Sequence, residues 1–413
     1  MNTLKFGNGE WYGKKDTILA YNDENSNFKP LPFSFDRASS ATVINKDGLI
    51  ETVGSGEPRI DYKDDSKGAL LLEPSRSNLI PNSQSVINGW ISSSIVTADN
   101  QAISPDGTFT SGHITSLGDG SYGSIRKAIS VSANSTYTIS LFVKKEVSET
   151  YYMGVGFVFS GGTTDVGYGI IDAVNGTGYS ADPRIPFTIK VDDYETYWRF
   201  SFTGTDSGSN SSLNAYIYST LSKNGTSTEL GLGSTRTIWG AQVEQGSYAT
   251  SYIPTSGGVV TRVAEEGIDG GAGTPIFSNT SAVWFIDLER IGIDTDSNGS
   301  AIALRNSSFS QQIRLHFDAP AQYIRFRDGV NGYATISTIT GANPNVRKKL
   351  ALRINGSTLS TFSNGNKIGN DYTAPNAFNL EEIDFSSIGF KIHDMRFYNT
   401  ALTDQELINL TTI

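Results

Sequence analysis

The feature that most constrains this chain is the two-residue alternation of its apolar side chains between Gly68 and Arg262, taken up again after residue 281. In STYTISLFVKKE, Tyr137, Ile139, Leu141 and Val143 fall on every second position; in TYWRFSFTGT, Trp198, Phe200 and Phe202 alternate with Tyr197, Arg199 and Ser201. Successive side chains of a strand point to opposite faces, so this period describes half-buried strands rather than helices. SYGSIRKAISV, YYMGVGFVFS, NAYIYST and RTIWGAQVE continue it, separated by loops of Gly, Ser, Asn and Thr. Short strands with turn residues between them predict a sandwich or jelly roll.

Composition agrees: 43 Gly, 19 Tyr and 21 Phe, with 18% charged residues, suit strands and turns. A length of 413 residues allows two or three domains at about 100–200 residues each. A second strand series starts with AVWFIDLERIGI and runs through GSAIALRN, QIRLHFDA, QYIRFRDG, KKLALRING and STLSTFSNGNKIG. Between the two series, the glycine-rich EEGIDGGAGTPIFSNTS reads as a boundary. Residues 1–67 are turn-rich, with one clear hairpin, Thr42–Ile44 and Leu49–Val53 around Lys46-Asp47-Gly48. The tail carries the one helix signal, a capping box at Thr403-Asp404-Gln405-Glu406 with Leu402 and Leu407 as its staple. The expected fold is all-β: an irregular N-terminal arm (1–67), a jelly roll (68–262), a Gly-rich linker (263–281) and a second sandwich (282–413) ending in a short helix.

A formal net charge of -10 argues against a nucleic-acid partner, which requires a basic face. Cysteine is absent, so neither disulfides nor thiolate metal sites are available. No run approaches the roughly 18 apolar residues of a membrane helix, and MNTLKFGNGEWYGKKD lacks the apolar core of a signal peptide. Neither a membrane partner nor classical secretion is expected.

Two runs are unusual. GALLLEPSRSNLIPNSQ (68–84) takes three leucines straight into Glu73, Pro74, Ser75 and Arg76, and WGAQVEQGSYATSYIPTSGGVVTR (239–262) couples an apolar start to a glutamate, small residues and a proline. With NGWISSSIVTADNQAISPDGT between them, they resemble a module widespread in bacteriophage tail and virion proteins, itself similar to jelly-roll carbohydrate-binding modules. The resemblance implies that the two runs are neighbouring strands and their caps. Glu73 and Arg76 would then be a structural ion pair or cap, and Pro74 the strand end. LAYNDENSNFKPLPFSFDRASSATVINKDGLIETV is similar to leader segments in phages infecting Bacteroidetes. IGFKIHDMRFYNTALTDQELINL resembles the last strand and helix of laminin-G-like or concanavalin-like sandwiches. Together these imply a virion appendage, a tail or head fibre, that forms a homotrimer and docks on other virion proteins through residues 1–67. Its two sandwiches would be displayed toward bacterial surface glycan. The alternatives are a purely structural capsid decoration and a polysaccharide depolymerase.

The residues themselves offer little catalytic chemistry. His113, His316 and His393 are isolated, without a nucleophile elbow or an HExxH pair. Glycoside hydrolysis needs two carboxylates flanking the sugar bond; Asp64-Asp65 and Asp192-Asp193 read as solvated loop charges and Glu244 as structural, so no enzyme is expected. Asp294, Asp296 and Asn298 alternate as oxygen ligands ahead of Gly299, but Arg305 stands where an EF-hand needs a bidentate glutamate. A plain hairpin turn is the default there, a calcium ion in a sandwich loop the alternative, and no other cofactor is expected. Sugar rings stack on aromatic faces at loop and strand edges, which selects Trp90, Tyr122, Tyr151 and Tyr152, with a core or interface role competing for Trp90. Trp198, Trp239 and Trp284 fall inside strand patterns and read as core.

Overall fold

The computed structural model describes the whole chain except residues 1–2, 15–16, 23–26, 31–33, 120–121, 149–151, 183, 222–232, 271–277, 293–299, 318–321, 329–331, 340–345 and 386–388. The described residues are antiparallel strands joined by turns, with one helix at Asp404–Thr411, as the alternation predicts. That helix has both hydrogen bonds of the capping box, and Leu402 and Leu407 are buried beneath it. The hairpin Ala41–Ile44 and Ile50–Val53 forms, with Gly48 at φ +77 in its turn.

The chain divides into two compact units. A terminal unit comprises residues 1–46, 52–75 and 263–413; a central unit comprises 47–51 and 76–262. This differs from the four segments expected from sequence, because residues 1–46 and 52–75 fold with residues 263–413 rather than standing apart. Thr3–Gly7 pairs along Phe390–Tyr398, from Thr3 opposite Tyr398 to Gly7 opposite Asp394. The described residues of 1–46 and 52–67 therefore pack within the terminal unit. The expected linker is likewise part of the sheet where it is described. Glu266–Gly270 pairs with both Ser34–Asp36 and Glu382–Phe385.

The central unit is a sandwich of two six-stranded sheets. One runs in the order Ile91–Ser93, Ser124–Ser130, Ser212–Leu221, Tyr152–Ser160, Asp165–Asp172, Thr177–Ser180. The other runs Ile95–Ala102, Ser111–Ser116, Thr235–Gln245, Thr136–Lys144, Tyr197–Thr205, Thr188–Tyr194. Alternation sends Met153, Val155, Phe157 and Phe159 of the first sheet and Ile139, Leu141, Phe200 and Phe202 of the second into one core, all fully buried. Each such side chain contributes about 1.5–3 kcal/mol of burial.

In the terminal unit an eleven-stranded sheet built around Phe390–Tyr398 and Ser281–Arg290 encloses a second core with a seven-stranded sheet. Trp284, Ile286 and Leu288 face that core, and Val283 and Phe285 on the opposite face receive Leu407 of the helix.

The two unusual runs prove to be junctions between the units. Ala69–Leu72 is a strand, but its partners are Arg59–Asp61 and Phe390–Tyr398, and Leu70 and Leu72 lie in the terminal core. It is thus not the neighbour of the Thr235–Gln245 strand, as the resemblance implied. Pro74 has no N–H to extend the ladder, and the chain enters the central unit between Ser75 and Arg76. From there the expected pairing does hold. Arg76–Asn78 pairs with Val260–Arg262, so the central unit begins and ends at one point. The Asn78 amide donates to the Ala241 and Ile253 carbonyls (3.3 and 2.9 Å) and accepts from Val243 N–H (3.2 Å). Buried Glu244 accepts from Gln242 Nε2 (2.7 Å) and from Thr250 N–H (3.0 Å). These polar residues satisfy a buried, irregular backbone, which would otherwise carry an unpaired-group penalty of about 1–3 kcal/mol each.

Glu73 closes the other side of the junction, within the terminal unit. It pairs with Arg59 at 2.9 Å, and the Arg76 guanidinium lies 5.7 Å from the Tyr248 ring centroid. Asp65 departs from the solvated charge expected of it: it receives His393 Nδ1 at 2.7 Å and is mostly covered.

Candidate functional site

The outer face of the first central sheet carries an array of tyrosines. Because Met153, Val155 and Phe157 point inward, Tyr152, Gly154 and Gly156 point outward; because Leu213, Ala215 and Ile217 point inward, Asn214, Tyr216 and Tyr218 point outward. Register then aligns the outward residues across strands. Arg126 is opposite Tyr216, Tyr216 opposite Gly156, and Gly156 opposite Tyr168. In the adjacent row, Ser124, Tyr218, Gly154, Ile170 and Tyr179 succeed one another. Tyr122 and Tyr152 join the same cluster. Six tyrosines from different points in the chain thus meet on one surface, five of them half-buried and Tyr218 buried beneath them.

Glycines let the rings lie down on the sheet. A Cβ on Gly156 would come within 3.0 Å of the Tyr218 ring and 3.2 Å of the Tyr168 ring, so a larger residue there would lift both. Tyr216 and Tyr218 stack with centroids 5.5 Å apart and planes at 8°, while Tyr168 and Tyr122 each meet Tyr218 edge-on at 6.1 Å. The result is a cluster of half-exposed rings and phenol hydroxyls, suited to the apolar face of a pyranose and the hydroxyls around it.

Polar groups frame the array. Arg126 Nη1 donates to Asn214 Oδ1 at 2.9 Å, and Asp182 pairs with Arg184 at 2.6 Å. Asp172, at the Thr177–Ser180 side, accepts from the Val174 and Asn175 backbone and the Asn175 amide, closing a turn. Burial pushes the Tyr168 and Tyr218 phenols up, Tyr218 further so because Tyr168 and Tyr216 crowd it; burial and the nearby Tyr152 push Tyr179 up to about 12. Tyr168, Tyr179 and Tyr218 therefore stay neutral at physiological pH. A phenol held above its unfolded value, near 10, stabilises the folded state below about pH 10, and that contribution is lost as pH rises through the folded value. The central unit is accordingly expected to lose stability above about pH 10, with part of the tyrosine absorbance titrating late; a spectrum in which every tyrosine ionises together near pH 10 would contradict it.

Of the residues selected from sequence, the structure brings Tyr122 and Tyr152 into this array. It places Trp90 against the central core, where its Nε1 donates to Ser85 O at 2.8 Å. Tyr151, Asp294, Asp296 and Asn298 lie outside the described residues, and among the described residues no group of three or more His, Asp or Glu could hold a metal. Trp239 and Trp284 are core, whereas Trp198 is half-buried with the Lys145 ammonium 3.9 Å from its ring centroid. Sequence reasoning missed Tyr168, Tyr179, Tyr216 and Tyr218. The signal was the Tyr-x-Tyr of NAYIYST set out of phase with the core residues.

No protein-family model matches this chain, and no curated protein does either. Among solved structures, the chain is similar to a tandem CBM22 domain of Xyn10C from Paenibacillus barcinonensis (12% identity, covering 77% of this chain and 95% of that one, TM-score 0.26). It is similar to the tail fibre protein gp63.1 of E. coli phage G7C (10% identity, 78% of this chain and 41% of that one, TM-score 0.24). It is also similar to a Trypanosoma rangeli sialidase (8% identity, 98% of this chain and 66% of that one, TM-score 0.28). Likenesses at these scores carry no functional inference.

Proposed function

We propose that this chain is a non-enzymatic adhesion protein of a phage particle, whose central unit binds bacterial surface glycan through the tyrosine array. The observation that carries the reading is the array itself: six tyrosines gathered onto one sheet face, with Tyr168 and Tyr218 packed over Gly156. Aromatic pairs stabilise a sheet by about 0.5–1.5 kcal/mol, but a solvent-facing sheet surface is ordinarily polar, and a cluster of half-exposed rings is a feature of interaction surfaces. The virion assignment rests on the sequence resemblance of residues 68–84 and 239–262. Attachment to other virion proteins falls to the terminal unit, which contains residues 1–46 and 52–67. Trimerisation would present three weak sites together, raising avidity by about 10²–10⁴ where geometry permits.

The test combines two measurements on the full chain: immunogold labelling of intact virions with antibody against residues 282–413, and retention of the purified protein on immobilised capsular polysaccharides. Label on the particle together with retention on at least one polysaccharide is expected. Absence of label, or depolymerisation of the retained polysaccharide, would overturn the reading.

A further inference from the structure

Resting on that reading, we propose that the glycan is acidic, its carboxylate held by Arg126 at one border of the tyrosine array. Arg126 stands in register with Tyr216 and so on the same outward row as Gly156 and Tyr168. Its described partner is the neutral amide of Asn214, which engages Nη1 alone. Among the described residues no carboxylate stands against it, and Nε and Nη2 are left for a second planar group. A guanidinium oriented in this way offers the two-pronged geometry that a carboxylate fills.

The charges elsewhere on the face make this border distinct. Arg184 is already matched by Asp182 at 2.6 Å, and Asp172 is committed to its turn. Both carboxylates lie on the Asp165–Asp172 and Thr177–Ser180 side, three or more strands from Arg126, or roughly 14 Å at about 4.8 Å per strand. Arg126 is thus a positive charge at one border, while at the far border Asp182 is neutralised by Arg184 and Asp172 is taken up by its own turn. On the other side of Arg126, Ile91 stands 53% exposed opposite it and provides an apolar wall. A chain of neutral hexoses would use the rings and leave the arginine idle. A chain carrying a uronic or other carboxylated sugar would use both, with the acid oriented toward the Ser124–Ser130 strand. The net charge of -10 disfavours polyanions in general, so selectivity must come from this local contact.

The full chain is to be titrated with a panel of capsular polysaccharides, each in native form and after chemical reduction of its carboxyl groups. The native acidic form is expected to bind about tenfold or more tightly than its reduced counterpart, with Arg126→Gln bringing the native affinity down to that of the reduced form and Arg126→Lys restoring part of the difference. Equal binding of native and reduced forms that still depends on Tyr216 would overturn the acidic-ligand inference while leaving adhesion intact. Failure of every polysaccharide to bind would overturn both.

Discussion

Tyr216→Ala is expected to weaken polysaccharide binding about 30-fold or more while leaving the melting temperature nearly unchanged. Tyr216 and Tyr168 flank Gly156 in the outward row, and both are half-buried, so part of each side chain is open to a ligand. Aromatic anchors at the centre of a binding surface cost about 2 kcal/mol or more when truncated, and each 1.4 kcal/mol is tenfold. The structural cost of the same change is small: an aromatic pair such as Tyr216 with Tyr218 is worth about 0.5–1.5 kcal/mol beyond its burial. Tyr218→Ala makes the contrast. Tyr218 is 6% exposed and touches Tyr122, Tyr168 and Tyr216, so its loss disturbs both folding and binding. If Tyr216→Ala and Tyr168→Ala each bound polysaccharide as tightly as the parent protein, the array would not be the site.

The second large effect is expected at Glu265. This carboxylate is completely buried and accepts from Arg37 Nη1 at 2.8 Å, from Arg59 Nε at 2.7 Å, from Arg59 Nη2, and from Glu73 N–H at 2.9 Å. Arg37, Arg59 and Glu73 are themselves 0–2% exposed, so the set holds two positive and two negative charges away from water. Burial alone would pull the Arg59 guanidinium down, but Glu265 and Glu73 hold it above its ordinary value and keep it charged. Glu265→Gln would leave two buried arginines against one carboxylate. Removing one partner of a buried ion pair costs about 3–5 kcal/mol, chiefly because the remaining charge is uncompensated. Such a loss would consume much of a domain's typical stability of about 5–15 kcal/mol. Hydrogen exchange read separately on peptides from 282–290 and 390–398 should show the terminal unit opening far more often. Exchange indistinguishable from the parent protein would mean that the charges are compensated by another route. Replacing Arg37, Arg59, Glu73 and Glu265 together by apolar residues of similar volume should cost less than Glu265→Gln alone.

That charge set was invisible in the sequence. Its members stand at 37, 59, 73 and 265, and Glu265 opened a glycine-rich stretch that had every local mark of a linker. Local reading could not know that Arg59 would arrive from the Arg59–Asp61 strand, 206 residues earlier, to neutralise it. Tyr216 and Tyr218 were half legible: alternation put them on the face opposite Leu213, Ala215 and Ile217, but nothing local brought Tyr122, Tyr152, Tyr168 and Tyr179 beside them.

What the sequence determined by itself was whatever depends on near neighbours. The period of two assigned strands and their inward faces, Lys46-Asp47-Gly48 made its hairpin, and Thr403 with Glu406 capped the helix, because these contacts span a few residues. What the tertiary structure decided was partnership. Leu70 and Leu72 look the same whether they lie beside Thr235–Gln245 or beside Phe390–Tyr398, since alternation fixes which face is buried and not which strand lies alongside. That choice was made over 300 residues away, at Ile392. Closing so long a loop adds little entropic cost over a shorter one, so the core that buries the leucines best selects the partner.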